Sequence, residues 1–160
     1  MEKSQKMKSV RYFRKAYEAH LDGQLGEAIQ LYHKSIEAYP TAEAFTSLGW
    51  ALSFLERYDE AIRFCKKAIE LDPEFGNPYN DIGTYLIAMG KLDEAVHYLE
   101  KALKAKHYEA FYIPHFHLGK IWERKGMILK ARESYQRALE ENPEYHIAKS
   151  ALEDLRFVLN

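Results

Sequence analysis

The side chains that could carry chemistry are scattered along the chain and form no catalytic or metal-binding constellation. Metal ligands on one helix lie three or four residues apart, so that they share a face. His115 and His117 are two apart and point in nearly opposite directions. There is no CxxC pair, no nucleophile motif around a serine and no glycine-rich phosphate loop. We therefore predict no metal site, no cofactor and no enzymatic activity.

The single cysteine, Cys65, has no partner for a disulfide within the chain. It lies between Ala61 and Ile69 on one apolar stripe of a predicted helix. Such a position is typical of a small buried hydrophobe rather than a reactive thiol.

Length and charge indicate one domain that binds neither nucleic acid nor a membrane. The 160 residues are 47% hydrophobic and 29% charged, with a formal charge of −1. Nucleic acid and anionic membranes both require a basic face. No apolar run reaches membrane-spanning length, and the first residues lack the apolar core of a signal peptide. These observations favour a cytoplasmic location.

Residues 42–73 form the unit from which the rest of the chain is built. Phe45, Leu48 and Leu52 recur at helical spacing, and a second apolar stripe runs from Tyr58 to Ile69. A short polar turn separates the two predicted helices, as an antiparallel pair requires. Asp72-Pro73 ends the second helix, because proline disfavours helical geometry in the preceding residue.

This unit recurs with a period near 34. Alanines spaced by 33, 34 and 36 residues form one column, and small residues form another. The first column is Ala28, Ala61, Ala95 and Ala131, and the second is Ala16, Gly49, Gly83 and Gly119. A third column is Tyr12, Phe45, Tyr79 and His115, and a fourth has Pro40, Pro73, His107 and Pro143. The period and these residue types resemble the tetratricopeptide repeat (TPR) over about residues 9–143.

The resemblance implies an all-α fold, a right-handed superhelical solenoid of four helix-turn-helix units with a C-terminal capping helix. The whole chain, residues 1–160, would form a single TPR domain. The expected repeats are about 9–41, 42–75, 76–111 and 112–145, and the capping helix is about 144–159.

Three departures from the repeat pattern carry structural expectations. Lys15 stands where the other units have leucine or isoleucine, which suits a unit with one face in water. Glu56 takes the place of the glycines that end the other first helices, so a left-handed turn there costs about 1 kcal/mol. His107 replaces a proline, and we therefore expect helix 92–106 to run on.

The resemblance also implies that the first helix of each unit lines a concave groove. Every third or fourth residue off the packing stripe is then expected to face this groove. In the first unit these include Val10 and His20. The predicted peptide-binding residues are Phe13, Tyr17, Thr46, Trp50, Phe54, Asn77, Asn80, Thr84, Phe116 and Lys120. The aromatic members suit pockets for apolar side chains, and the amides suit the main chain of a peptide.

We interpret the chain as a scaffold that holds a peptide or helix of a partner protein in this groove. The alternative is a self-assembly module that uses its end helix, where Phe157 lies beside Val158, or its convex face. Some family members clamp the acidic C-terminal tail of chaperones with lysines, asparagines and an arginine. This chain lacks that clamp, and Asp81 would repel a carboxylate, so we predict no chaperone-tail binding.

Overall fold

The chain folds into nine α-helices in the computed structural model, which describes residues 1–159. The helices are α1 (Glu2–Leu21), α2 (Leu25–Ala38), α3 (Ala42–Ser53), α4 (Tyr58–Leu71), α5 (Gly76–Ala88), α6 (Leu92–Lys104), α7 (Tyr112–Arg124), α8 (Ile128–Glu141) and α9 (His146–Leu159). Within residues 1–159 the β-structure consists of one isolated parallel bridge between Phe75 and His107.

The helices stack in chain order as pairs. Each first helix packs against the second helix of its own pair, and each second helix packs against the next first helix. The first helices α1, α3, α5 and α7 also contact one another along the stack. No two second helices make comparable contacts in the part of the chain that the structure describes. The first helices therefore form the inner, concave surface, which we call the groove. This architecture confirms the all-α repeat solenoid.

Small residues allow the two helices of a pair to approach closely. A Cβ added at Gly49 would lie 3.0 Å from both the carbonyl oxygen of Ala61 and the Sγ of Cys65. Both neighbours are fully buried, and burial raises the pKa of the Cys65 thiol well above its usual value. A larger residue at position 49 would overpack this contact, at a cost of about 1–3 kcal/mol.

The turn within each pair needs a residue in the left-handed backbone conformation. Gly23, Gly90 and Gly126 adopt this conformation with φ between 73° and 77°, and Glu56 adopts it with φ of 57°. This is the strained position that the sequence predicted. Next to it the Arg57 guanidinium donates to both carboxylate oxygens of Glu60, at 2.9 and 2.7 Å.

The expectation that helix 92–106 runs on past His107 is wrong, because α6 ends at Lys104. The backbone of His107 pairs instead with the segment before α5. Its N–H donates to the carbonyl of Glu74 at 2.8 Å, and its carbonyl accepts from the N–H of Gly76 at 3.2 Å. These long-range hydrogen bonds replace those that a longer helix would make.

Side chains reinforce this tie between the two connecting segments. The His107 Nδ1 lies 3.1 Å from a carboxylate oxygen of Asp72. Tyr108 packs so closely on Gly76 that any Cβ at position 76 would collide with it. The connecting segments at the two ends of the third unit are thus joined by a contact that the repeat pattern does not contain.

The outer side of α1 differs from the matching side of the other first helices. Leu48, Ile82 and Leu118 are almost completely buried, whereas Lys15 at the equivalent place is exposed. The face of α1 on which Lys15 lies is therefore in contact with water, as the sequence predicted.

The last helix, α9, covers α8 with Ala148 and Leu155, which are both buried. Its far end exposes Phe157 and Val158, which are 87% and 63% accessible. The side chain of Leu159, which its four-residue spacing from Leu155 predicts on the packed side, lies outside the described residues. None of the helices in residues 1–159 combines the length and the hydrophobicity needed to cross a membrane.

Candidate functional site

The groove has an aromatic end formed by α1 and α3. Phe13 stacks on Tyr17 with ring centroids 6.5 Å apart, and Trp50 meets Phe54 edge-on at 5.7 Å. Tyr17 is 43% accessible and Phe54 is 59% accessible, so both retain open apolar surface. These four predicted residues belong to one cluster, which we call the aromatic end together with His20.

His20 joins the two halves of the aromatic end. Its ring centroid lies 3.9 Å from that of Trp50 and 5.5 Å from that of Phe54. The Nδ1 lies 3.3 Å from the hydroxyl of Tyr32, while the buried Nε2 has no partner among the described residues. Burial lowers the pKa of His20, which keeps the ring neutral at neutral pH. The repeat pattern placed His20 toward the groove but did not show that it packs between Trp50 and Tyr32.

The middle of the groove, on α3 and α5, is polar. Thr46 is 7% accessible, and its hydroxyl donates to the carbonyl of Ala42 at 2.8 Å. The hydroxyl of Thr84 donates to the carbonyl of Asn80 at 3.1 Å. Both hydroxyls therefore donate their hydrogen bonds to backbone carbonyls of their own helices. Asn77 is exposed, whereas Asn80 is 7% accessible.

Asn80 belongs to a group of polar side chains that we call the polar centre, namely Asn80, Asp81 and Tyr85. The Oδ1 of Asn80 and the hydroxyl of Tyr85 are buried and have no hydrogen-bond partner within residues 1–159. Ser53 lies beside Tyr85, but its hydroxyl donates to the carbonyl of Trp50 at 2.7 Å. Leaving a buried polar atom unpaired costs about 1–3 kcal/mol.

Asp81 is the charged member of the polar centre and is partly accessible to water. Burial among the surrounding helices raises the pKa of its carboxyl to about 7, and the neighbouring Asn80 side chain offsets only part of this rise. The sequence pattern indicated Asp81 only as a group that repels acidic ligands. Its place four residues after Asn77, a predicted groove residue, was the signal that it faces the same surface.

The fourth unit contributes less open surface than expected. Phe116 is half-buried and packs against Tyr135 and Tyr145, with centroids 5.7 and 5.6 Å away, beside a core cluster. Lys120 is half-buried, and its ammonium lies 3.6 Å from the carboxylate of Glu123. Burial also lowers the pKa of His117 to about 4. This end of the groove is thus largely filled by its own side chains.

No group of three or more metal-ligating side chains occurs within residues 1–159. The groove offers apolar surface at the aromatic end, and hydrogen bonds and charge at the polar centre.

Comparison with known proteins identifies the repeat. Profiles of the tetratricopeptide repeat match residues 42–75 and residues 80–146, which together make up more than half of the chain. Small glutamine-rich tetratricopeptide repeat-containing protein 2 of Mycosarcoma maydis is 35% identical over 80 residues, 49% of this chain and 23% of the relative. Sperm-associated antigen 1 of Mus musculus is 36% identical over 92 residues, 58% of this chain and 10% of the relative. The chain thus spans less than a quarter of the length of either.

Solved structures share the fold at lower sequence identity. Pseudomonas aeruginosa PilF aligns with a TM-score of 0.89 at 19% identity, over 96% of this chain and 70% of that one. YrrB aligns with a TM-score of 0.73 at 21% identity, over 91% of this chain and 74% of that one. With the repeats, the solenoid and these relatives together, the chain belongs to the tetratricopeptide repeat family and is a scaffold for protein–protein interaction.

Proposed function

We propose that the chain is an adaptor that holds a peptide or a helix of a partner protein in its groove. The observation that carries this proposal is the aromatic end, where Tyr17 and Phe54 leave about half of their surface open beside Trp50. Tyrosine and tryptophan are typical energetic anchors of interfaces, and exposed apolar patches mark interaction sites. YrrB, whose fold is similar, is described as a TPR protein with an unusual peptide-binding site.

The binding residues that we propose remain those predicted from the sequence, with a division of roles. Tyr17, Phe54 and Asn77 are exposed and offer direct contact, while Phe13, Trp50, Thr84 and Lys120 are half-buried. Thr46 and Asn80 are buried and shape the groove from below, and Phe116 does the same at its far end. This division favours a ligand that lies mainly across α1, α3 and α5.

The accompanying proposals concern the class of ligand and the setting. We propose that the adaptor has no enzymatic activity, acts in the cytoplasm and binds proteins rather than nucleic acid or membranes. An acidic chaperone tail is a poor ligand, because the Asp81 carboxylate on the groove would repel its carboxylates.

A pull-down from a lysate of the source organism tests the adaptor proposal, with wild type and Trp50→Ala compared by mass spectrometry. Tyr98→Ala is the matched control, because Tyr98 is a half-buried aromatic of the second helix α6. We expect a protein that both wild type and Tyr98→Ala retain and that Trp50→Ala loses, with a binding cost above about 2 kcal/mol for Trp50. Identical eluates from all three would contradict groove binding.

One observation favours the second candidate, self-assembly through the end helix. Phe157 and Val158 lie adjacent on α9 and are both largely exposed. Self-assembly predicts a sedimentation coefficient that rises with concentration, an increase that Phe157→Glu abolishes and Trp50→Ala leaves unchanged. A monomer at all concentrations would exclude it.

A further inference from the structure

The centre of the groove presents a carboxylate that the protein itself does not neutralise. Asp81 lies two residues before Gly83 on α5, as Ser47 lies two before Gly49 on α3 and His117 two before Gly119 on α7. Burial keeps His117 neutral, and serine carries no charge. Asp81 is therefore the charged group of this row from α3 to α7.

The groups that face Asp81 offer it no positive charge. The groups near enough to interact with its charge are Asn80 and Tyr85 on its own helix, the Cys65 thiol of α4 and Tyr108 from the segment between α6 and α7, and none of them is a cation. No ion pair within residues 1–159 includes Asp81. A desolvated carboxylate without a cation is costly to the folded protein, and burial accordingly raises its pKa to about 7.

Two further polar groups in the polar centre have unmet hydrogen bonds. Asn80 and Tyr85 are 93% and 96% buried, and the Oδ1 of one and the hydroxyl of the other have no partner in residues 1–159. With Asp81 they place an amide oxygen, a hydroxyl and a carboxylate within six residues of one helix. Two of the three accept hydrogen bonds only, and the third can do so, which makes the polar centre rich in acceptors.

A ligand with several donors and a positive charge matches this set. Arginine presents five N–H donors in a planar fork, and lysine presents three on a compact ammonium. Hydrogen bonds between such a cation and a carboxylate are roughly twice as strong as neutral ones, and more so where water is partly excluded.

We propose that the groove selects partner segments that carry an arginine or a lysine, and that this cation pairs with Asp81 in the polar centre. The inference rests on the adaptor function proposed above and adds the chemistry of the ligand. The aromatic end then holds an apolar side chain of the same segment, because the first helices α3 and α5 are neighbours in the stack.

Selection from a library of random 12-residue peptides tests the inference. Wild type, Asp81→Asn, Asp81→Ser and Trp50→Ala serve as immobilised targets, and Asp154→Asn is the control that removes an exposed carboxylate of α9. Asparagine preserves the shape of Asp81, and serine is the residue of α3 at the equivalent position. We expect arginine and lysine to be enriched with wild type and with Asp154→Asn, and the enrichment to be lost with both Asp81 variants.

Calorimetric titration with one selected peptide completes the test. Asp81→Asn should weaken its binding at least about tenfold, and replacing its cationic residue by glutamine should weaken binding by a similar factor. The two changes together should cost little more than either alone, since they remove the same pair.

The outcomes separate this inference from the adaptor proposal. If Trp50→Ala abolishes peptide binding while Asp81→Asn leaves it unchanged, the groove binds peptides and the Asp81 inference is wrong. Selected peptides without basic residues would overturn it equally. If no peptide is selected, or if Trp50→Ala binds the selected peptides as tightly as wild type, the adaptor proposal fails and the inference fails with it.

Discussion

The aromatic end and the polar centre occupy neighbouring parts of one groove but differ in how their side chains find contacts within the protein. At the aromatic end Phe13, His20 and Trp50 contact one another or Tyr32, so these three rings are largely covered within the protein, while Tyr17 and Phe54 stay exposed. In the polar centre Asn80 and Tyr85 leave two buried oxygens unpaired, against one buried nitrogen of His20 at the aromatic end. The same repeated backbone therefore carries a cluster of rings that pack on one another in one place, and a polar cluster with unmet hydrogen bonds beside it.

The difference indicates what each region contributes to binding. Apolar side chains that pack on one another stabilise the fold and present the remainder of their surface without strain. Polar groups that stay unpaired cost stability, and native proteins tend to retain such groups at functional sites. We interpret the aromatic end as a preformed support and the polar centre as the region completed by the ligand.

The largest effect is expected from Tyr32→Ala, which removes the fully buried ring under the aromatic end. Phe13 and His20 both pack on this ring, at centroid distances of 5.7 and 6.1 Å. Truncating a buried aromatic costs about 3–5 kcal/mol, which denaturant unfolding measures directly. Tyr32→Phe is the control and should cost under about 1.5 kcal/mol, since it removes only the hydroxyl. A cost below about 1 kcal/mol for alanine would show that the aromatic end is not a packed unit.

A pH-dependent effect is expected from His117. Its folded pKa of about 4 lies below the ordinary value of 6.5, so the unfolded chain binds the proton more tightly. The stability of the wild type should therefore fall as the pH drops from about 6.5 through 4. His117→Gln should remove about 2–3 kcal/mol of that loss, measured by unfolding at pH 7 and pH 4. Ser47→Ala, at the equivalent position in α3, should shift stability equally at both pH values.

Asp81 should show the opposite dependence. Its folded pKa of about 7 lies above the ordinary value of 3.8, so the folded protein binds the proton more tightly. The stability contributed by this proton is present below pH 4 and is lost as the pH rises through 7. The free energy of unfolding of Asp81→Asn, relative to that of wild type, should thus be about 1–3 kcal/mol higher at pH 8 than at pH 4. This range allows for the partial solvent exposure of Asp81. A gain independent of pH would contradict the burial of an uncompensated carboxylate.

The smallest effect is expected from Tyr85→Phe, which removes a buried hydroxyl without a partner. The variant should be neutral or more stable by up to about 1 kcal/mol. Tyr135→Phe is the matched comparison, because the Tyr135 hydroxyl donates to the carboxylate of Glu123 at 2.6 Å. That variant should lose about 1–3 kcal/mol. Equal losses in thermal unfolding of the two variants would show that Tyr85 is satisfied after all.

The repeat columns predicted the helices, the small residue at Gly49 and the strained turn at Glu56, because these features depend on residues near in sequence. The tie between His107 and the segment before α5 was not predictable in this way, since a replaced proline does not reveal a hydrogen-bond partner 33 residues away. The burial of Asn80 and the packing of the half-buried Phe116 were missed for a related reason. A helical column gives the direction of a side chain, and the size of its neighbours decides how much of it reaches water.

The central claim is that partner segments bind in the groove across α3 and α5. The most direct measurement is a backbone amide NMR titration of the wild type with a selected basic peptide. We expect the largest chemical shift changes to fall within residues 46–54 and 77–84. Changes concentrated on the second helices α2, α4, α6 and α8, or around Phe157 on α9, would contradict groove binding and favour the convex face or the end helix as the functional surface.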